Sequence, residues 1–153
     1  MTTTVGDDLI PVLPFRIGEE GYALPVSDVV EVAAMLAVTP VPGSHDALLG
    51  MVNRQGSVLP VLDLRLIFQA DAAVIDASTL FIVAEYDNQR AGLVVDEVFQ
   101  VKYIMKERTA SGTAAGRYIQ QVVSDTTGLL QIVALDALLT QHLFDNLSGI
   151  KNA

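Results

Sequence analysis

The stretch from residue 48 to residue 68 constrains the fold of this chain more than any other part of the sequence. Two apolar runs are joined there by the polar tetrapeptide Asn-Arg-Gln-Gly at residues 53–56. Asn and Gly tolerate the backbone of a tight turn better than other residues do. Apolar runs on both sides of such a turn are typical of a β-hairpin, with strands at residues 49–52 and 58–68.

The second arm of this predicted hairpin has two different faces, because alternate residues of a strand point to opposite sides of the sheet. One face is apolar and contains Pro60, whereas the other starts apolar and ends with the opposite charges of Asp63 and Arg65. Proline has no N–H to donate to a ladder, so Pro60 predicts an edge or a bulge. We expect one face to lie in a core and the other to dock partly against another surface. The expected arrangement of Asp63 and Arg65 is a solvated or lobe-bridging ion pair.

Length and composition indicate one globular domain or two small lobes. Hydrophobic residues make up 51% of the 153 residues and aromatic residues only 6%, so the predicted core is aliphatic, and its valines favour strands. The net charge of −9 argues against nucleic acid and anionic membrane surfaces as partners. The N-terminus does not resemble a signal peptide, and the longest uncharged stretch is too short to span a bilayer. We therefore expect a cytoplasmic protein without direct membrane insertion.

Turn signals divide the whole chain into about ten short strands and one C-terminal helix. Residues 1–8 are polar and are predicted to form a flexible tail. Either Ser27 or Asp28 is predicted to cap a helical turn at residues 28–31, and a segment at residues 98–105 is predicted to extend the sheet. The terminal helix is predicted at residues 136–147, with an aspartate as its cap and leucines along one face.

The order of strand, tight turn, strand, acidic segment and hairpin occurs twice along the chain. Residues 23–30 match residues 91–98 in pattern, and residues 56–65 match residues 128–139. Two similar half-barrels of about five strands each are the expected result. Two lobes leave a cleft between them, and such clefts are common places for partners.

No residue pattern in the chain predicts catalysis, a cofactor or a metal site. There is no cysteine, and His45 and His142 share no local ligand motif. We interpret His142 as an ordinary surface residue of the terminal helix rather than as a phospho-acceptor. The acidic residues have no spacing typical of a general acid–base pair, and nucleophile-elbow, P-loop and dinucleotide motifs are absent. We therefore predict a protein that is not an enzyme.

Residues 50–65 have the sequence GMVNRQGSVLPVLDLR. This segment follows the pattern G-V-x-N-L-R-G-x-V-x-P-V-x-D-L-R and resembles the CheW-type chemotaxis coupling proteins. Further matches lie at residues 15–31, 92–96 and 132–139 and in the proline pair before the hairpin. The resemblance covers residues 12–145 of the chain.

The resemblance implies an all-β fold with a C-terminal helix, made of two intertwined five-stranded SH3-like barrels. One CheW-like domain would then occupy residues 9–148, with barrel subdomains at about 20–75 and 76–135 that exchange strands. The implied function is that of a non-catalytic adaptor in chemotaxis signalling. Its implied partners are the cytoplasmic tip of a methyl-accepting chemoreceptor and the regulatory domain of a CheA-type histidine kinase.

The resemblance also implies which residues bind partners. Val29 and Glu31 match the partner-binding region of the first lobe, although Val29 alone would be taken for a core residue and Glu31 for a surface acid. Gly50 and Val101 match positions that the family links to receptor or kinase coupling, and Val101 alone would also be taken for a core residue.

The turn of the hairpin departs from the family pattern. The family has Leu-Arg-Gly where this chain has Arg54-Gln55-Gly56. Gln55 can form hydrogen bonds, but it cannot form the bidentate, charge-assisted contact of an arginine. Arg54 can replace the missing arginine only if the turn directs its side chain to the same place. We therefore include both Arg54 and Gln55 among the predicted partner-binding residues.

Two other functions stay open. The departures in the turn and at residues 120–122, where the family has glycine, are compatible with an adaptor of pilus-based motility or another chemosensory pathway. A protein of a different class, a ligand-binding barrel or an enzyme, would use the cleft between the lobes. That class requires an enclosed apolar pocket with several convergent polar groups.

Overall fold

A computed structural model describes residues 9–44, 47–71, 74–105, 109–111, 118–125 and 128–144. The chain is mostly β-structure in two sheets, with a short helix near the C-terminus. The strands are β1 (Leu9–Ile17), β2 (Glu20–Pro25), β3 (Val29–Ala34), β4 (Leu48–Arg54), β5 (Ser57–Asp63), β6 (Leu80–Tyr86), β7 (Gln89–Val94), β8 (Glu97–Val98), β9 (Lys102–Met105), β10 (Thr109–Ser111), β11 (Ile119–Asp125) and β12 (Gly128–Val133). The helices are α1 (Leu64–Ile67) and α2 (Leu135–Leu139), and α2 continues into a π-helical turn at Thr140–Phe144.

The two sheets exchange strands along the chain. Sheet B contains five strands in the order β3-β6-β7-β5-β4. Sheet A has the order β10-β11-β12-β2-β1, and both β8 and β9 pair with β1. The first two strands therefore belong to the sheet that the C-terminal half builds. Sheet A has seven strands because the segment predicted as one strand at 98–105 forms β8 and β9, and because β10 adds an edge.

The exchange gives β3 to β7 to sheet B and the remaining strands to sheet A. Sheet B runs from β3 through β7, since β6 pairs with β3 and β7 pairs in parallel with β5. The two crossings between the sheets lie between β2 and β3 and between β7 and β8.

Three apolar clusters fill the molecule. One lies on the inner face of sheet B, a second lies on the inner face of sheet A, and the largest lies between the sheets. Strand alternation explains the division, because β6 sends Phe81 into the sheet B cluster and Ile82 into the shared core. Helix α2 closes the shared core with its leucines, as the predicted apolar face required. The other large, fully buried members of the shared core are Phe15, Ile17, Leu24, Leu62, Leu64 and Leu93.

Several local predictions are wrong, including the aspartate cap of the terminal helix, whose N-cap residue is Ala134. The hairpin strand does not reach residue 68, because the side chain of Asp63 accepts a hydrogen bond from the N–H of Arg65 at 3.0 Å and begins helix α1. The helical turn predicted at residues 28–31 is a strand instead. A 3-10 turn at Val26–Asp28 precedes it, and the β-branched residues that follow form β3.

Pro60 lies in an interior strand of sheet B rather than at its edge. It faces Met51 of β4, while the pairing of β5 with β7 begins one residue later, at Val61. The proline therefore lies before the start of the second ladder.

Several sequence predictions concern residues outside the described ranges, namely the tail at 1–8, His45 and the end of the terminal helix at 145–147. Within the described ranges, no helix has the length and apolar character needed to cross a membrane.

Candidate partner-binding surfaces

The hairpin turn at residues 53–57 places Arg54 in the ladder and Gln55 outside it. Gln55 and Gly56 have φ angles of 52° and 84°, as a type I′ turn requires. The side-chain oxygen of Asn53 accepts a hydrogen bond from the N–H of Gly56 at 3.2 Å and supports the turn. Arg54 is the last residue of β4 and pairs with Ser57, whereas Gln55 is exposed at the tip.

Arg54 forms a bidentate ion pair with Glu31 of β3. Its Nε donates to Oε2 of Glu31 at 2.8 Å, and its Nη2 donates to Oε1 at 2.5 Å. The hydrogen bond from Arg54 holds the pKa of Glu31 below its usual range, against the smaller opposing effect of burial. The same hydrogen bond raises the pKa of Arg54. The side chains stay 37% and 21% exposed, so both remain accessible to a partner.

This ion pair joins the two outer strands of sheet B, since β3 and β4 lie at opposite ends of its strand order. A short backbone bridge also joins this part of the sheet, where Thr39 and Met51 exchange two hydrogen bonds of 2.8 Å. The ion pair between Arg54 and Glu31 therefore closes sheet B into a barrel-like unit. It also connects the outer side of β3 to the hairpin turn.

Two apolar residues flank Glu31 in the sequence of β3. Val30 and Val32 are 40% and 38% exposed, on an outer strand of sheet B. Val29 is half-buried and packs partly against the shared core. We use the name edge surface for Val30, Glu31, Val32, Arg54 and Gln55.

Gly50 is buried in sheet B. Its φ of 148° lies in a region that favours glycine, and a β-carbon there would lie 2.3 Å from the carbonyl oxygen of Thr39. Val38 Cγ1 would be only 2.7 Å away. Glycine at position 50 therefore lets the segment around Thr39 cross β4 closely, and the partner-binding role of Gly50 stays a prediction.

Val101 lies on sheet A, apart from the edge surface of sheet B. It is 50% exposed in the segment between β8 and β9, next to two further exposed apolar side chains, Phe99 and Tyr103. Phe99 also lines a groove of about 620 Å³ that opens to solvent, with Leu129 on the same groove. We use the name β8–β9 patch for Phe99, Val101 and Tyr103.

Phe99 and Tyr103 were not identified from the sequence. The sequence signal that could have identified them is an apolar residue at every second position of 99–103, which is the alternation typical of a strand. An alternating pattern does not show which face of a strand is covered, so these residues could equally have been buried.

Asp63 and Arg65 are both 2% exposed, so the solvated alternative for this ion pair is wrong. Of the groove-lining residues, Glu19, Glu20 and Lys102 carry charge, and they lie on an open groove rather than in an enclosed cavity. Among the residues described, no three His, Asp or Glu side chains are placed to hold a metal ion. This arrangement offers surfaces for protein contact rather than an enclosed site for chemistry.

Comparison with known proteins identifies the family. Residues 11–142 match the CheW-like domain model. The chain is 30% identical to the chemotaxis protein CheW of Helicobacter pylori over 92 residues, which cover 60% of this chain and 56% of that protein. It is 28% identical to the chemotaxis protein CheW of Klebsiella aerogenes, with 95% of this chain and 90% of that protein covered.

A solved structure has the same fold. The crystal structure of the scaffolding protein TtCheW from Thermoanaerobacter tengcongensis superimposes with a TM-score of 0.75 at 24% identity, covering 81% of this chain and 88% of that one. The predicted fold class is thereby confirmed. With its family model matched over most of its length, the chain belongs to the CheW-like domain family and is a non-catalytic chemotaxis adaptor.

Proposed function

We propose that this adaptor binds the regulatory domain of a CheA-type histidine kinase through the edge surface and the cytoplasmic tip of a chemoreceptor through the β8–β9 patch. The observation that carries the proposal is the bidentate, partly exposed pair of Glu31 and Arg54, on a strand whose valines on either side of Glu31 are also exposed. Because both proposed partners are cytoplasmic, we place the adaptor in the cytoplasm.

The edge surface has the composition of a protein-binding site. Arginine and exposed apolar side chains are enriched where binding energy concentrates at interfaces. The ion pair holds the guanidinium of Arg54 in one orientation before binding, which reduces the entropy lost on association. The oxygens of Glu31 retain capacity to accept further hydrogen bonds from a partner.

Two separate surfaces on one molecule explain adaptor activity without catalysis. Binding both partners at once raises the effective concentration of one at the other. A conformational change in the receptor then reaches the kinase only if the bound states differ in affinity. The geometry between the surfaces is thus part of the proposed function.

Calorimetric titration with the isolated kinase regulatory domain of the same genome tests the edge surface. We expect Arg54→Ala to weaken binding by at least about tenfold, the typical effect of removing one well-placed interface residue. The matched control is Arg16→Ala, because Arg16 forms an exposed ion pair with Glu97 on sheet A. Equal affinity of the Arg54 variant and the unmodified protein contradicts the proposal.

Val101→Ser, measured against a soluble receptor-tip fragment, tests the β8–β9 patch. We expect weaker receptor binding with kinase binding preserved. Val58→Ser is the control, because Val58 is 71% exposed on sheet B and lies outside both surfaces as defined. If both serine variants reduce receptor binding equally, the patch is not the receptor site.

A further inference from the structure

A buried ionic cluster lies where the two sheets meet. Arg65 donates from Nε to Oδ1 of Asp63 at 2.9 Å and from Nη2 to Oδ2 at 3.1 Å. Its Nη1 lies 3.6 Å from Oδ1 of Asp96, whose side chain is only 15% exposed. Asp63 and Arg65 are the buried charged residues in the part of the chain that the structure describes.

Asp96 extends this cluster from one sheet to the other. It follows β7 of sheet B and precedes β8 of sheet A. Its Oδ2 accepts a 2.7 Å hydrogen bond from the N–H of Gly18, in the turn between β1 and β2. Its own N–H donates to the carbonyl oxygen of Arg16 at 3.0 Å. A continuous polar path thus leads from the end of β5 to the first hairpin of sheet A.

The sheets also share the large apolar core, whose contacts are of a different physical kind. Apolar burial has no preferred direction, so it holds two sheets together without selecting one relative angle. Hydrogen bonds and forked arginine contacts weaken steeply when their geometry changes. Buried ion pairs often contribute less stability than apolar replacements, and their best-attested use is to select one arrangement.

We propose that Asp63, Arg65 and Asp96 are positioning residues that fix the orientation of sheet A relative to sheet B. The edge surface lies on sheet B and the β8–β9 patch lies on sheet A, so the cluster sets the geometry between them. Only this last consequence rests on the proposed function, because the orientation itself can be measured without a partner.

The chain has no cysteine, so spin labels can be attached at two chosen positions without side reactions. Val58→Cys on sheet B and Leu129→Cys on sheet A suit this purpose, because these side chains are 71% and 68% exposed. Pulsed electron–electron double resonance then gives the distribution of distances between the sheets. We expect a narrow single distribution in the otherwise unmodified protein.

The decisive variant is Asp96→Asn, which removes the charge beside Arg65 but keeps an oxygen that accepts from the N–H of Gly18. We expect its distance distribution to be broader than that of the matched control Glu97→Gln, which removes the neighbouring carboxylate from an exposed pair. Asp96→Ala, which also removes the acceptor, should broaden it further. Superimposable distributions for Asp96→Asn and Glu97→Gln, in folded protein, overturn the proposal.

A second measurement needs no substitution and covers the case in which the Asp96 variants do not fold. Hydrogen exchange at the amide of Gly18 should be slow in the native protein, because its N–H is held by Asp96. Exchange as fast as in an unstructured peptide overturns the proposal independently.

Partner titrations separate this inference from the proposed function. We expect Asp96→Asn to bind either partner alone with unchanged affinity but to form the complex of all three components less tightly. A broadened distance distribution with an unchanged three-component complex would leave the orientation role intact and refute the two-surface function.

Discussion

Gly50→Ala tests whether the hairpin residue that the family links to coupling acts by contact or by folding. The added β-carbon would lie 2.3 Å from the carbonyl oxygen of Thr39 and 2.7 Å from Cγ1 of Val38. That carbonyl accepts a 2.8 Å hydrogen bond from the N–H of Met51, one of the two bonds of the bridge between Thr39 and Met51, so moving it away strains this bridge. We therefore expect the substitution to destabilise the fold rather than to remove a binding contact.

The expected loss of folding free energy in Gly50→Ala has two parts. Holding a non-glycine residue at a φ of 148° costs about 1–3 kcal/mol of backbone strain. Forcing an extra carbon into a packed site typically costs about 1–3 kcal/mol more. A combined loss of about 3 kcal/mol lowers the melting temperature of a domain of this size by roughly 6–12 °C.

Thermal unfolding followed by circular dichroism measures this loss, with Gly128→Ala as the matched control. Gly128 has a φ of 127°, and nothing lies within 4 Å of the place where its β-carbon would be. The control therefore carries backbone strain without the steric conflict. We expect the Gly50 variant to unfold at a clearly lower temperature than the Gly128 variant.

Binding data complete the test. If Gly50 acts through folding, kinase affinity measured well below the melting temperature should fall far less than it does in Arg54→Ala. A Gly50 variant that melts like the unmodified protein but does not bind the kinase would refute the structural role and restore a direct contact.

Three further outcomes follow from the ion pairs and one carboxyl group. Gln55→Arg should leave kinase affinity unchanged or lower it, because Arg54 already occupies the carboxylate of β3; a gain in calorimetric titration would mean that Arg54 has not taken over. Arg65→Met should cost about 3–5 kcal/mol in urea unfolding, because it leaves the charge of Asp63 buried without its partner. Burial and a nearby carboxylate raise the pKa of Asp28 in the folded protein, so the ionised side chain destabilises the fold at neutral pH. Asp28→Asn should therefore stabilise the fold at neutral pH. This gain in stability should vanish as the pH falls below the pKa that Asp28 has in the unfolded chain.

Local patterns were sufficient to predict most strands, because each hairpin is encoded by a turn and by alternation within a few residues. Pairing between distant strands was not encoded locally. Nothing within β5 shows that it pairs in parallel with β7, and nothing within β2 shows that it pairs in parallel with β12. These choices depend on how the shared core is filled, which is a property of the whole chain.

Side-chain exposure was the harder part of the site to predict. Val29 and Val101 have the same chemistry, yet one packs partly into the shared core and the other is 50% exposed. For Gly50, the resemblance predicts partner binding, whereas the structure shows a close backbone crossing. The close crossing that explains this glycine involves Thr39, which lies in another segment and has no sequence signal of its own.

The arginine of this turn lies one residue earlier than in the family pattern. The backbone geometry of the turn decides where the side chain of such a shifted arginine points. In a two-residue hairpin loop, the loop residues take positive φ and leave the ladder, while the residue before them keeps the direction of its strand. Arg54 is that preceding residue, and its strand lies opposite β3 at the closure of sheet B. The charge therefore reaches Glu31 from the ladder, and Gln55 at the tip is left available to a partner. A change in turn type would therefore disconnect the edge surface of this adaptor even if both charges were kept.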